Sequence, residues 1–261
     1  MAKASTLVQR SDEALLEKLQ EQCALHNAVP GNLRDYDCAI CRNKGLLYRM
    51  VGMEEVAREC SCMEIRAGIQ RMKRSGLYEQ LGKLTFEAYR TDEPWQNNLL
   101  NTAKQYAEKH DAPAFFMGGQ RGAGKTHLCT AICAALMEQG FAVRYFVWET
   151  DVKEILNRSG VSDREEREAL VQPLLQSPVV YLDDFFRKDS PSQAEKSVAF
   201  DVINRRYIEG KITIISSECQ LNVLLRTDEA VASRIKEMCG NTYCLNIADD
   251  PRKNYRLRHS A

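Results

Sequence analysis

The sequence has no hydrophobic run long enough to cross a membrane, and its first residues, MAKASTLVQRSDEALL, contain no apolar stretch typical of a secretion signal. It also has no excess of charge, because 36 basic side chains balance 36 acidic ones. This balance excludes nucleic-acid binding through the charge of the whole molecule, so any such surface has to be local. We therefore expect a cytoplasmic protein that does not associate with membranes.

Internal repeats and low-complexity tracts are also absent from the 261 residues. This length is enough for one large domain and one small domain. Hydrophobic residues make up 44% of the chain, which is sufficient for a core without help from disulfides.

From Ala112 onward, strand-like and helix-like segments alternate, which is typical of a parallel sheet with helices on both faces. Upstream, helices are predicted over residues 11–28 and 97–110. The predicted strands are Ala114–Met117, Ala142–Trp148, Val179–Leu182, Ile212–Ser216 and Tyr243–Ile247. Ser-x-x-Glu spacing predicts capping boxes at Ser162–Glu165 and Ser192–Glu195.

A basic helical stretch precedes this alternating region and is closed by Ser75-Gly76. It is either a solvated face or a contact for nucleic acid. Its basic residues are Arg66, Arg71, Lys73 and Arg74.

Ten cysteines are many for a reducing compartment. Five of them lie among apolar neighbours and are predicted to be small core residues: Cys129, Cys133, Cys219, Cys239 and Cys244. A further pair, Cys23 and His26, is interpreted as a helix-face pair and not as a metal site.

Four other cysteines form two tight pairs, CAIC and CSC, separated by residues 42–59. The intervening glycines and strand-like residues favour a zinc-ribbon hairpin, and paired cysteines of this kind predict tetrahedral Zn²⁺. The C-x-C spacing of the second pair is less common than C-x-x-C, and four free thiols are the alternative. The predicted zinc ligands are Cys38, Cys41, Cys60 and Cys62.

The stretch GGQRGAGKTHL places glycines, a lysine and a threonine between a buried strand and a helix with an apolar face. It matches G-x-x-x-x-G-K-[ST], in which backbone N–H groups and a helix N-terminus bind phosphates. Lys125 would reach the β- and γ-phosphates, and Thr126 would bind Mg²⁺. A glycine-rich turn with a surface lysine is the alternative. The candidate nucleotide-binding residues here are Gly119, Gln120, Arg121, Gly122, Ala123, Gly124, Lys125, Thr126 and His127.

The buried strand in VVYLDDFF ends in two carboxylates, Asp183 and Asp184. Carboxylates at the carboxyl end of a central parallel strand lie beside such a loop. Asp183 would orient Mg²⁺ and its waters, and Asp184 could orient the attacking water or accept its proton. Two turn aspartates without a role are the alternative.

The next strand, in KITIISSE, ends with Ser217 and Glu218, which are candidate sensors of the γ-phosphate. Arg234, in VASRIKEM, lies on a following helix and could reach the γ-phosphate of a neighbouring subunit. Taken alone, it is equally consistent with a surface arginine.

Together these segments resemble the AAA+ ATPases of the DnaC/DnaI helicase-loader group, which is related to the IstB transposition helper. The resemblance covers nearly the whole chain, in the order C-x-x-C…C-x-C, SGL, TFEAY, GGQRGAGKTHL, YLDDF, INRRYIEGKITIISS and ASRI. It implies an α/β fold: a P-loop AAA+ core with a five-stranded parallel sheet flanked by helices and little or no helical lid. The expected domains are a helix plus zinc-binding module with a basic linker helix in residues 1–84, and the ATPase domain in residues 85–261.

The resemblance also implies the roles of single residues. Asp183 and Asp184 take the Walker B roles, Ser217 and Glu218 the first sensor position, and Arg234 that of an arginine finger. The family usually has Ser-Asn at the first sensor, so Glu218 would repel the γ-phosphate unless Mg²⁺ or an arginine compensates for it. A second sensor has only weak candidates, Arg252 and Arg256.

We therefore predict an ATPase that loads a replicative hexameric helicase, binds ATP–Mg²⁺ and single-stranded DNA, and forms homo-oligomers with ATP. The alternatives are an IstB-like transposition helper and a nucleotide-dependent switch that hydrolyses ATP slowly. A small-molecule kinase fits less well, because no acceptor site is visible and Arg234 would be unexplained.

Overall fold

The computed structural model describes residues 2–74, 78–158, 164–187 and 190–258. The chain divides into two compact units, Met1–Ile69 and Gln70–Ala261. The domain boundary that we predict between residues 84 and 85 stays a prediction. Ser75-Gly76 and Ser162 lie outside the described residues, so the helix end and the first capping box predicted there do too.

The first unit consists of a long helix and a hairpin. Helix α1 spans Ala2–Ala28, and strands β1 (Leu46–Val51) and β2 (Glu54–Glu59) pair antiparallel. Two residues connect the strands, and Gly52 adopts φ 63°, the left-handed conformation that such a tight turn requires. Helix α2, Cys62–Arg74, begins in this unit at the second member of the second cysteine pair. The hairpin predicted between the two cysteine pairs is confirmed.

Residues near the C-terminus of helix α1 form hydrogen bonds with the hairpin. The Asn27 side chain donates to the carbonyl oxygen of Tyr48 at 2.7 Å and accepts from its N–H at 2.9 Å. His26 Nδ1 lies 2.8 Å from a carboxylate oxygen of Glu55. His26 therefore contacts the hairpin through Glu55.

The second unit contains a five-stranded sheet in the order β4-β5-β6-β3-β7, with every neighbouring pair parallel. All five predicted strands are present, and the predicted parallel sheet is confirmed. Their bounds are β3 Ala114–Gly119, β4 Val143–Val147, β5 Val179–Asp183, β6 Ile212–Ser217 and β7 Cys244–Ile247. Strands β3 and β5 are buried along their whole length, as central strands covered on both faces have to be.

Helices flank this sheet. They are α3 Tyr78–Leu81, α4 Pro94–Lys109, α5 Lys125–Glu138, α6 Trp148–Arg158, α7 Arg164–Gln176, α8 Gln193–Glu209, α9 Leu221–Thr227 and α10 Glu229–Cys239. The capping box of Ser192 and Glu195 is confirmed at the start of α8. Helix α4 starts at Pro94, earlier than predicted, because proline is suited to a first helical turn and Glu93 and Gln96 form a capping box there.

A short 3-10 turn, Pro251–Lys253, and helix α11, Tyr255–Arg258, follow β7. Within the described part of the chain, no helical lid follows the sheet. No helix among these residues has the length and apolar character needed to span a bilayer.

The guanidinium of Arg206 is fully buried at the end of α8 and joins three elements. It donates to the carbonyl oxygens of Leu174 at 2.7 Å and Ser177 at 2.9 Å, and to that of Ile212 at 2.5 Å. It also donates to the Thr213 hydroxyl at 2.8 Å. Arg206 thus ties the end of α7 to the start of β6, a role that the sequence pattern did not reveal.

Candidate functional site

The glycine-rich loop connects β3 to α5, as the sequence predicts. Gly119 and Gly124 adopt φ values of 107° and 85°, which other residues rarely reach. A Cβ atom on Gly119 would lie 2.0 Å from the carbonyl oxygen of Ile247, and one on Gly124 would lie 2.6 Å from the Tyr89 ring. Both positions therefore require glycine, and the loop leads directly into the N-terminus of α5, where anions bind.

Lys125 and Thr126 begin helix α5. The ammonium group of Lys125 is largely buried and donates to the carbonyl oxygens of Gly119 and Gln120, each at 2.8 Å. Burial lowers the pKa of Lys125, whereas the nearby carboxylates of Glu218 and Asp184 act in the opposite direction. The lysine thus lies against the loop with two carboxylates near its charge.

Asp183, the last residue of β5, is held by hydroxyl groups. Its carboxylate accepts from Tyr145 at 2.7 Å, from Tyr181 at 2.8 Å and from Thr126 at 3.4 Å, and also from Ser216. Four hydroxyl donors fix the orientation of the carboxylate and leave it beside Thr126, the pairing required for a shared metal ion. Sequence reasoning missed the two tyrosines and Ser216, although polar residues within otherwise apolar strands mark them.

Asp184 follows in a left-handed conformation, with φ 52°. Its backbone N–H donates to Ser216 Oγ at 3.2 Å, which fixes the turn after β5. Burial raises the pKa of the Asp184 carboxyl, and the negative charges of Asp183 and Glu218 raise it further. A carboxyl with a raised pKa is suited to accept a proton.

One cavity of about 650 Å³ brings these groups together. It is lined by Arg121, Gly122, Ala123, Gly124, Lys125, Thr126 and His127 from the loop and α5, by Asp183 and Asp184, and by Glu218. Its other part is lined by Tyr89, Arg90, Trp95, Lys253, Tyr255 and Arg256, among others. Cationic and anionic groups thus face each other around one space that begins at the glycine-rich loop. Gly119 and Gln120 line an adjoining cavity instead.

The Glu218 carboxylate is neutralised by two arginines. It lies 2.6 Å from an Arg121 guanidinium nitrogen and 3.2 Å from Nε of Arg187, and Arg187 also reaches Glu149 at 3.2 Å. The sequence indicates that an arginine or Mg²⁺ has to compensate for the negative charge of Glu218, and two arginines do so. Arg187 itself was missed, because only the fold brings the turn after β5 next to the end of β6.

The four predicted zinc ligands form a cluster in the first unit. Their sulfur atoms lie within 4.8 Å of one another, and all four side chains are buried. The Cys38–Cys60 and Cys41–Cys62 sulfur distances are 3.8 and 3.5 Å. Four thiolates around one Zn²⁺, each about 2.3 Å from the metal, lie about 3.8 Å apart, so this donor set fits a closed structural zinc site.

Comparison with known proteins identifies the family. The model of the family described as IstB-like ATP binding protein matches residues 47–259. The chain belongs to this family. Its members are P-loop ATPases, so the chain is a P-loop ATPase with the AAA+ fold.

Relatives of this IstB-like chain include a phage-like element protein and a replicative helicase loader. It is 30% identical over 236 residues to the phage-like element PBSX protein XkdC of Bacillus subtilis, covering 85% of this chain and 86% of the relative. It is also 30% identical over 198 residues to the replicative helicase loader DnaC of Escherichia coli, covering 74% of this chain and 76% of that protein.

Two solved structures share the fold of the IstB-like chain. The crystal structure of the DnaC helicase loader matches with a TM-score of 0.53 and 21% identity, over 66% of this chain and 99% of that one. The crystal structure of DnaI matches with a TM-score of 0.52 and 14% identity, over 67% and 93% of the two chains.

The remaining predicted site residues of the IstB-like chain lie apart from the cavity. Ser217 is fully buried, donates to the Phe185 carbonyl oxygen at 2.6 Å and accepts from the Cys219 N–H at 3.0 Å. Its hydroxyl thus fastens β6 to the turn after β5. Arg234, on α10, donates from Nε to Asn204 at 2.8 Å and does not line the cavity of its own chain.

Only one of the two weak candidates for a second sensor lies at the cavity. Arg256 lines the cavity, whereas Arg252 is exposed and pairs with Asp250 at 2.9 Å.

The structure does not place Arg66 on an exposed basic face. Arg66 is buried and donates to the Tyr36 carbonyl oxygen at 2.7 Å and to Asn43 Oδ1 at 2.9 Å, so it stabilises the loop that contains the first cysteine pair. It is therefore removed from the candidate DNA surface. The side chains of Arg71 and Arg74 lie outside the described residues.

Proposed function

We propose that this P-loop ATPase is an ATP-dependent loader of a replicative DNA helicase, which binds ATP–Mg²⁺ and single-stranded DNA. The observation that supports this most is the 30% identity over 198 residues to the replicative helicase loader DnaC, a match that covers three quarters of both chains. A coherent nucleotide cavity in the same chain supports the ATP-dependent part.

In this proposal the glycine-rich loop and the start of α5 bind the phosphates of ATP. Lys125 exchanges the carbonyl oxygens of Gly119 and Gln120 for the β- and γ-phosphates, which offer stronger, charged acceptors. Thr126 and Asp183, already 3.4 Å apart, supply the oxygen ligands for Mg²⁺, which polarises the phosphate oxygens when bound.

Asp184 is the residue that orients the attacking water or accepts its proton. Its place beside Asp183, its half-buried position and its raised pKa suit this task. Glu218 lies at the same cavity, where its two arginine partners limit its repulsion of the γ-phosphate.

The first unit is the proposed binding module for the helicase. A buried four-cysteine cluster at the base of a two-stranded hairpin is a rigid platform once it holds Zn²⁺. Single-stranded DNA is assigned to the ATPase unit, through local basic groups, since the chain as a whole is neutral.

Homo-oligomers that form with ATP are also part of the proposal. Arg234 lies outside the cavity of its own chain, as a residue that acts on a neighbouring subunit would. Its guanidinium lies 4.9 Å from the centre of the Phe200 ring, a contact that holds the side chain against α8.

Two other functions remain candidates for specific reasons. The family model favours a transposition helper, whereas the identity to the replicative helicase loader DnaC favours the loader. A switch that barely hydrolyses ATP is favoured by Glu218 at the first sensor position.

A pull-down separates the two partner classes. The tagged full-length protein is incubated with purified hexameric replicative helicase, with and without ATP, and in parallel with a transposase encoded beside its gene. The proposal expects retention of the helicase alone. Retention of the transposase without the helicase would replace the loader with the transposition helper.

A further inference from the structure

Arg187 emerges from a tightly anchored turn at the edge of the nucleotide cavity. The two residues before it, Phe185 and Phe186, are buried and pack against Trp148 at ring-centre distances of 4.7 and 5.7 Å. The Phe185 N–H donates to the Ser216 carbonyl oxygen at 2.8 Å. The backbone that presents Arg187 is therefore fixed, whereas its side chain is 45% exposed.

The partners of Arg187 are carboxylates on two other elements. Glu218, at the end of β6, and Glu149, in the first turn of α6, each lie 3.2 Å from its guanidinium. Glu218 also binds Arg121 of the glycine-rich loop, and only 15% of its side chain is exposed. Arg187 thus joins the turn after the Walker B aspartates to the loop that binds phosphate.

The charges around Arg187 would allow it to exchange a carboxylate partner for a phosphate group. Lys125, Arg121 and Arg187 line the cavity together with the carboxylates of Asp184 and Glu218. A triphosphate that enters there repels Glu218 and offers phosphate oxygens to the arginines. A guanidinium binds two phosphate oxygens at once and stays charged at all relevant pH values.

We propose that Arg187 is a γ-phosphate-binding residue of the same subunit, and that Glu218 holds it beside the cavity until ATP binds. Glu218 then competes with the terminal phosphate for Arg187. The pair makes the site sensitive to the difference between ATP and ADP, because ADP lacks the group that draws Arg187 away. This inference rests on the proposed binding of ATP–Mg²⁺ at the glycine-rich loop.

The test measures the affinity of the full-length protein for fluorescent analogues of ADP and of non-hydrolysable ATP. Arg187→Gln should weaken binding of the ATP analogue roughly tenfold to a hundredfold, as expected for a lost charge-assisted hydrogen bond, and change ADP binding less than about twofold. Arg187→Lys should retain part of the preference for ATP. Arg205→Gln is the matched control, since Arg205 pairs with Glu209 on α8, outside the cavity.

Glu218→Gln tests the competition itself. It should tighten binding of the ATP analogue more in the otherwise unchanged protein than in the Arg187→Gln background, where only the relief of repulsion and the release of Arg121 remain. An equal loss of both affinities on Arg187→Gln, or no loss of either, would overturn the role of Arg187. Failure of the unchanged protein to bind either analogue would instead contradict the nucleotide site on which the inference rests.

Discussion

At the scale of single residues, the nucleotide cavity is built from charges that hold one another in place. The Lys125 ammonium rests on loop carbonyl oxygens, Asp183 on hydroxyl groups, and Glu218 between two arginines. The partners of Lys125 and Asp183 are neutral and therefore weaker than a phosphate group or a metal ion. The site is therefore ordered before its ligand arrives, and ligand binding replaces existing contacts.

Lys125→Ala should abolish ATP binding, because it removes the buried ammonium at the start of α5. Asp184→Asn should keep ATP binding and lose turnover, since it removes a proton acceptor without disturbing the phosphate-binding loop. Binding is measured with a fluorescent ATP analogue and turnover by phosphate release. Unchanged affinity of the Lys125 variant would contradict the assignment of the loop.

At the scale of elements, the motifs that the sequence revealed are those whose residues lie close together along the chain. The glycine loop, the aspartates after β5 and the paired cysteines are each contiguous or nearly so, so their motifs could be recognised before the fold was known. Arg187 and Arg206 could not be recognised, because their partners come from other elements and are up to 38 residues away. Arg66 was misplaced for the same reason, since its acceptors on Tyr36 and Asn43 lie 30 and 23 residues earlier.

Arg206→Met should lower the free energy of unfolding by about 3–5 kcal/mol, because several buried carbonyl oxygens lose a charged donor and each loss costs about 1 kcal/mol. The neighbouring Arg205→Met is the matched control, and it should change stability by less than about 0.5 kcal/mol, since Arg205 is exposed. Urea unfolding followed by circular dichroism measures both. Equal stability of the two variants would show that Arg206 does not join α7 to β6.

The purified protein should contain one Zn²⁺ per chain, bound by the four cysteines. Structural zinc contributes on the order of 10 kcal/mol to the folding of its module. Cys60→Ser should therefore unfold the hairpin region and leave the ATPase unit folded, as judged by metal analysis and by retained nucleotide binding. Cys239→Ser is a control outside the cluster and should keep its zinc. Protein made without chelators that contains no zinc would rule the site out.

At the scale of the whole molecule, the chain consists of two compact units. The first presents a cysteine-stabilised hairpin, and the second contains a P-loop ATPase whose parallel sheet brings the ends of β3, β5 and β6 to one edge. In the proposed assembly, Arg234 of one subunit completes the cavity of its neighbour. Hydrolysis then depends on assembly.

Arg234→Ala should bind ATP normally and fail to hydrolyse it. Mixed with Lys125→Ala protein, it should regain some activity, because the Lys125→Ala subunit offers its own Arg234 to the intact loop of its neighbour. Asn204→Ala controls for the local contact of Arg234, and it should hydrolyse ATP without mixing. If mixing restores nothing although both variants assemble, Arg234 acts within its own subunit or has a structural role.

Helicase loading by this protein is measured by the amount of helicase placed on single-stranded DNA. Purified replicative helicase is incubated with single-stranded DNA and ATP, with the unchanged protein, with Lys125→Ala protein, or with neither, and the DNA-bound helicase is counted. A loader increases the bound helicase several-fold over the helicase alone, and Lys125→Ala protein gives a much smaller increase. No increase with the unchanged protein, under conditions in which it binds ATP, would contradict the account.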